Sequence, residues 1–163
     1  MFPEEIESLA RRVVVRATER GLTIATAESC TGGLVAAAIT EIAGSSAVLD
    51  RGFVTYSNAA KMRMLGVDAA TLDAHGAVSR ETALEMARGA VEQSDAAMSV
   101  AITGVAGPGG GSDDKPVGLV QFAAMGPGGL VHVERRFGDI GREAVRRASV
   151  EQALEMLLER LGA

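Results

Sequence analysis

Three short polar segments hold the residue types that nucleophilic catalysis needs. The first is Ala27-Glu28-Ser29-Cys30-Thr31-Gly32-Gly33, where an apolar run gives way to a helical pattern. Backbone N–H groups at a helix start have no intrahelical partners, so they attract anions and can hold a developing oxyanion. A serine there can be presented as a nucleophile; an N-cap serine or threonine before a glycine-eased turn is the competing reading. The second segment is Thr55-Tyr56-Ser57-Asn58-Ala59-Ala60-Lys61, a polar cluster leading from a strand end into a helix. Strand ends are common sites of chemistry in α/β sheets, and the competing reading is an exposed helix start with Lys61 on the surface. The third runs from Thr103 to Gly118 and contains six glycines. Glycine lets backbone approach a ligand closely, and successive N–H groups form anion nests; a flexible connection is the alternative.

Lysine usage singles out one of these residues. The chain carries sixteen basic residues, of which only Lys61 and Lys115 are lysine. Arginine stays charged in proteins, whereas burial or a neighbouring positive charge can make lysine neutral. A role that needs a removable proton is one reason to keep lysine; chance is the other. Cys30 is a second possible nucleophile but lacks an evident partner, and a small buried residue is its expected role. His75, expected in a loop, and His132, expected in a strand, have no metal-ligand spacing with each other or with Cys30, so no metal and no cofactor is expected.

Composition narrows the partners. Net charge is −5 and aromatic residues make up 3%, with no tryptophan. Such a chain lacks both the basic footprint of a nucleic-acid binder and the aromatic platforms on which single strands stack. Its basic residues gather near the end, at Arg135, Arg136, Arg142, Arg146 and Arg147, which suits a small anion better than a polyanion. A single cysteine excludes an internal disulfide framework. With no signal-peptide pattern and no run long enough to span a membrane, the expected location is cytoplasmic, with no membrane partner.

The elements that position these segments follow from periodicity. Apolar residues make up 47% of 163 residues, enough for one domain over residues 1–163 with an aliphatic, alanine-rich core. Ile6, Leu9, Ala10, Val13, Val14 and Ala17 mark one face of a first helix ended by Gly21. Strands are expected at Leu22–Ala27, Gly52–Tyr56, Ala97–Thr103, Val117–Ala124 and Leu130–Phe137, the last two joined by Gly126-Pro127-Gly128-Gly129. Helices are expected at Thr31–Ile42, at Ala59–Leu65, after the N-cap Ser79, and from Arg142 to Leu161. The short link between the last two strands predicts an antiparallel hairpin, and so a mixed sheet flanked by helices in an α/β fold. Strand order does not follow from these patterns.

Taken together, the segments resemble the carboxy-terminal domain family of CinA, including its stand-alone, PncC-like nicotinamide-nucleotide amidohydrolases. The resemblance rests on Thr26 to Gly33, on Gly52 to Asn58 with Lys61, on Thr103 to Pro108 with Gly110-Gly111 and Lys115 to Gly118, and on His75 to Ser79. It implies a three-layer-like α/β domain and hydrolysis of nicotinamide mononucleotide to nicotinate mononucleotide and ammonia. It implies Ser29 as nucleophile and Lys61 as its base, with Tyr56 and Thr103 orienting the pair or the substrate. The implied substrate-binding set is Glu28, Cys30, Thr31, Gly32, Gly33, Asn58, Gly104, Ala106, Gly107, Gly110 and Gly111. A family Gly-Asp-Arg falls on Gly138-Asp139-Ile140-Gly141-Arg142, with two residues between aspartate and arginine. Arg142 is therefore the favoured phosphate ligand and Arg146 the reserve. Some family members carry a further amino-terminal domain, absent from this sequence, so the resemblance is to the stand-alone form. It also implies a homo-oligomer. A non-catalytic nucleotide-binding module is the alternative; a DNA-associated competence role fits the acidic charge poorly.

Overall fold

The computed structural model describes residues 1–163. Five strands form one sheet: β1 (Ile24–Glu28), β2 (Leu49–Val54), β3 (Met98–Gly104), β4 (Leu119–Gly126) and β5 (Gly129–Arg136), in the order β2-β1-β3-β4-β5. β2, β1 and β3 run parallel, β4 runs antiparallel to β3, and β5 runs antiparallel to β4. The expected mixed sheet and hairpin are both present; Gly126 pairs with Gly129 around a two-residue Pro127-Gly128 turn. The chain leaves β1 to one side for β2, then crosses to the other side for β3. Ser29 follows the last residue of β1, at the carboxyl end where the connections diverge, the place at which open α/β sheets bind ligands.

Helices cover both faces. α1 (Glu4–Arg20), α2 (Leu34–Thr40) and α6 (Arg142–Arg160) lie on one, over a core that includes Ile6, Val13, Ile39, Phe122 and Leu154. α3 (Asn58–Leu65), α4 (Ala69–His75) and α5 (Arg80–Glu92) lie on the other. The core there is largely alanine, with Ala25, Ala27, Ala83, Ala87, Ala90, Ala101 and Ala123, as the composition predicted. Small side chains let α5 approach the sheet closely, and Ser99 Oγ donates to Ala87 O across that interface.

Three expectations are corrected. The second helix starts at Leu34 rather than Thr31, because residues 30–33 form a turn in which Gly32 and Gly33 take φ of 58° and 101°. The second strand is Leu49–Val54, displaced towards the amino end, because its pairing with β1 begins at Ile24–Leu49. α4 was not expected; Asp68 caps it by accepting from Ala70 N, and His75 closes its last turn instead of lying in a loop.

Candidate active site

Ser29 and Lys61 meet. Lys61 lies one turn into α3, which Ser57 starts by accepting from Ala60 N with its Oγ. Its side chain is 1% exposed. Nζ lies 3.1 Å from Ser29 Oγ and donates to Thr55 O at 2.8 Å. Burial pushes the ammonium pKa below its usual 10.5, since no carboxylate pairs with it. An amine held this way can donate one hydrogen to Thr55 O while its lone pair accepts from the Ser29 hydroxyl. Thr55 is itself fixed, its N–H donating to Glu28 O.

The turn after Ser29 is held from two sides. Glu28 is fully buried, and its carboxylate accepts from the N–H groups of Gly33, Val35 and Ala36 at 2.9–3.2 Å. The α2 N-terminus, whose own cap is a glycine, is therefore occupied by Glu28 and offers no donors to a ligand. Arg146, on α6, donates to Cys30 O through Nε at 3.1 Å and to Thr31 O through Nη2 at 3.3 Å. Within the turn Gly32 N–H donates to Ser29 O. The N–H groups of Cys30 and Thr31 take no backbone acceptor; that of Cys30 lies beside its own thiol, and Thr31 is fully buried. The Cys30 thiol is buried, and desolvation pushes its pKa up to about 12, so it stays protonated and unreactive beside the serine.

A cleft of about 290 Å³ opens over the pair. Ser29, Cys30, Lys61 and Thr103 form its floor, with Gly104, Ala106, Gly107, Gly109 and Gly110 along one wall and Ala77 and Val78 along another. Tyr56, Asn58 and Arg142 stand at the mouth. Tyr56 is 61% exposed, and its hydroxyl accepts from Arg142 Nη2 at 2.9 Å; Arg142 Nη1 donates to Gly107 O at 2.9 Å. One guanidinium thus ties the strand-end tyrosine to the glycine loop. Thr103 Oγ1 donates to Ala77 O, so it fixes the wall formed by the α4–α5 loop rather than touching the serine or the lysine. Lys115 Nζ donates to His75 O at the other end of that loop, tying it to the far end of the glycine segment.

The expected residues divide accordingly. Ser29, Cys30, Tyr56, Asn58, Lys61, Thr103, Gly104, Ala106, Gly107, Gly110 and Arg142 line the cleft. Glu28, Thr31, Gly32, Gly33, Gly111 and Arg146 do not. The correction has a physical cause: Glu28 and Arg146 are committed to backbone groups of the turn, and Thr31 is fully buried. Ala77 and Val78 line the cleft although neither was assigned to it; the family-like stretch His75 to Ser79 was the only signal for them. No three His, Cys, Asp or Glu side chains converge as a metal site requires.

The match to known proteins covers this whole architecture. The family model "CinA C-terminal domain" fits residues 6–161. The chain belongs to the CinA C-terminal domain family. Its sequence is 51% identical to the nicotinamide-nucleotide amidohydrolase PncC of Escherichia coli (strain K12), over 96% of this chain and 95% of that protein. It is 50% identical to a CinA-like protein of Anaeromyxobacter dehalogenans (strain 2CP-C) over 96% of this chain, but the chain spans only 38% of that longer protein. The crystal structure of the competence/damage-inducible protein CihA from Agrobacterium tumefaciens superposes with a TM-score of 0.97 at 59% identity, covering 100% of this chain and 99% of that one. No helix is long and apolar enough to cross a membrane.

Proposed function

We propose that this protein hydrolyses the carboxamide of nicotinamide mononucleotide, releasing ammonia and nicotinate mononucleotide, with Ser29 as nucleophile and Lys61 as general base. The observation that carries the chemistry is the 3.1 Å separation of Lys61 Nζ and Ser29 Oγ on the floor of the cleft. The substrate assignment is supported by the PncC relative, which matches along nearly its whole length.

The steps follow from the groups present. Ser29 Oγ attacks the carboxamide carbon while its proton passes to the neutral Lys61 amine. The carbonyl oxygen gains negative charge and is held by the N–H of Cys30, which lines the cleft; loss of such a donor typically costs about a hundredfold or more. The C–N bond breaks, Lys61 returns the proton to the leaving nitrogen, and ammonia departs. Water then attacks the ester on Ser29, Lys61 takes its proton, and the acid leaves as the serine recovers its hydrogen. Arg142 and the glycine loop line the cleft and would receive the ribose-phosphate. Tyr56 positions Arg142, and Thr103 positions the opposite wall.

On this reading the partner is a small anionic nucleotide, and the net charge of −5 disfavours a nucleic acid. The compartment is the cytosol and the assembly a homo-oligomer. The test is ammonia release on incubation with nicotinamide mononucleotide, with the acid product identified by mass. Calorimetric binding of the nucleotide with no turnover would instead make the chain a sensing module.

A further inference from the structure

Lys115 opens the Lys115-Pro116-Val117-Gly118 stretch, yet it takes no part in the steps above. The cleft wall formed by Ala77 and Val78 belongs to no strand, and side chains hold it. Thr82 Oγ1 and Ser79 Oγ donate to Gly76 O at 2.7 and 2.9 Å, and Thr103 Oγ1 donates to Ala77 O at 2.9 Å. Lys115 Nζ donates to His75 O, a carbonyl at the carboxyl end of α4, where a cation is favoured. α4 buries no residue, so packing alone holds that end of the loop weakly. Glycine at 76 leaves the amine its place, because a Cβ there would stand 2.8 Å from Nζ. Lys115 is itself fixed from behind: Ser112 N–H donates to its carbonyl at 2.9 Å, and its own N–H donates to Ser112 Oγ at 3.1 Å. Of the side chains that hold the loop, Lys115 alone comes from the glycine segment, whose Gly107, Gly109 and Gly110 line the cleft along another wall.

We infer that Lys115 is a positioning residue for the pyridine ring of the substrate: by tying the glycine segment to the end of α4, it holds the Ala77–Val78 wall against which the ring lies. The inference rests on the amidohydrolase reading and adds to it a residue outside the cleft. The reacting carboxamide is bonded directly to the ring, so attack by Ser29 brings the ring beside that serine. Ser29 N–H donates to Ile102 O at 2.9 Å, and the next residue, Thr103, carries the hydrogen bond to Ala77 O. Ala77 and Val78 are thus an apolar pair tied to the strand that flanks the nucleophile, whereas Arg142 is tied to Gly107 and Tyr56. Lys115 does not line the cleft, so its loss loosens a wall and removes no group that touches the substrate.

The experiment pairs amide hydrogen exchange with steady-state kinetics. Lys115→Met keeps an apolar stem and loses the donor, and Lys115→Arg keeps a cationic donor. In protein without substrate, exchange in the peptide spanning His75 to Ser79 is expected to quicken by about tenfold in Lys115→Met, with other peptides unchanged and Lys115→Arg near wild type. KM for nicotinamide mononucleotide is expected to rise by about tenfold while kcat stays within about twofold, and Lys115→Arg recovers most of that loss. Ribose 5-phosphate, a competitive probe of the phosphate end, keeps its inhibition constant. An inhibition constant that rises together with KM would make Lys115 a phosphate ligand and overturn the inference. Unchanged exchange, an unchanged KM or a loss confined to kcat would do the same. Exchange that quickens throughout the chain would make Lys115 a support of the whole fold, and that too overturns it. Wild-type protein that releases no ammonia removes the amidohydrolase reading itself, a result separate from the exchange measurement.

Discussion

Two neighbouring side chains, Ser29 and Cys30, could each serve as nucleophile, and their surroundings decide between them. Ser29 has an amine within hydrogen-bond reach, whereas Cys30 has no base and a thiol pKa pushed by burial up to about 12. Native protein treated with iodoacetamide at pH 8 should remain unlabelled at Cys30 and become labelled only on unfolding; rapid native labelling would contradict the buried, protonated thiol. The serine and the lysine were legible through the family resemblance; by type and spacing alone an N-cap serine and a surface lysine were the competing readings. Glu28 and Arg146 were legible as part of the site but not in their roles. Each binds main-chain groups, and main-chain direction is set by turn geometry that a string of residue types does not display. Thr103 was legible as a cleft residue but its partner was not, since that is the carbonyl of Ala77, in the loop between an unexpected helix and α5.

At the level of elements, the position of Lys61 depends on how α3 docks. Gly89 on α5 faces the last residue of α3 so closely that a Cβ there would lie 1.9 Å from Leu65 O. Gly89→Ala must push the two helices apart; overpacking of this kind typically costs about 1–3 kcal/mol. The variant should show a lower midpoint in urea and a reduced kcat, because Lys61 moves with α3. Unchanged activity would mean that the lysine is positioned independently of that contact. α6, the N-cap Ser79 and the β4–β5 hairpin were readable because periodicity, cap chemistry and a glycine–proline turn each act locally. The start of α2 was not, because its cap is the carboxylate of Glu28, five or more residues upstream of the donors it satisfies. α4 escaped notice because it is short and buries no residue, leaving no apolar stripe to detect.

Across the whole molecule, the buried lysine couples activity to stability. Its native pKa is lowered by burial, while an unfolded lysine titrates near about 10.4. Between those two values the unfolded chain holds a proton that the native protein does not, so stability rises with pH through that window; below it the full cost of burying the amine applies, and above it the cost is gone. Urea unfolding of Lys61→Met against wild type should therefore favour the variant most near neutral pH, with the gap shrinking as pH approaches about 10.4. A gap independent of pH would show that the lysine is not desolvated. The order β2-β1-β3-β4-β5, which brings β1 between its two parallel partners, was not readable from local patterns because strand pairing is a non-local choice. It is nevertheless what brings Ser29, Thr55 and Thr103 together at the carboxyl ends of the parallel strands.

The central claim is that the Ser29 hydroxyl becomes covalently acylated. Acid-quenched reactions with nicotinamide mononucleotide, analysed by intact-mass spectrometry and peptide mapping, test it most directly. An adduct on the peptide containing Ser29, of the mass of the nucleotide acyl group, is expected, with neither adduct nor ammonia from Ser29→Ala. Ammonia release by Ser29→Ala at a rate near that of wild type would contradict it.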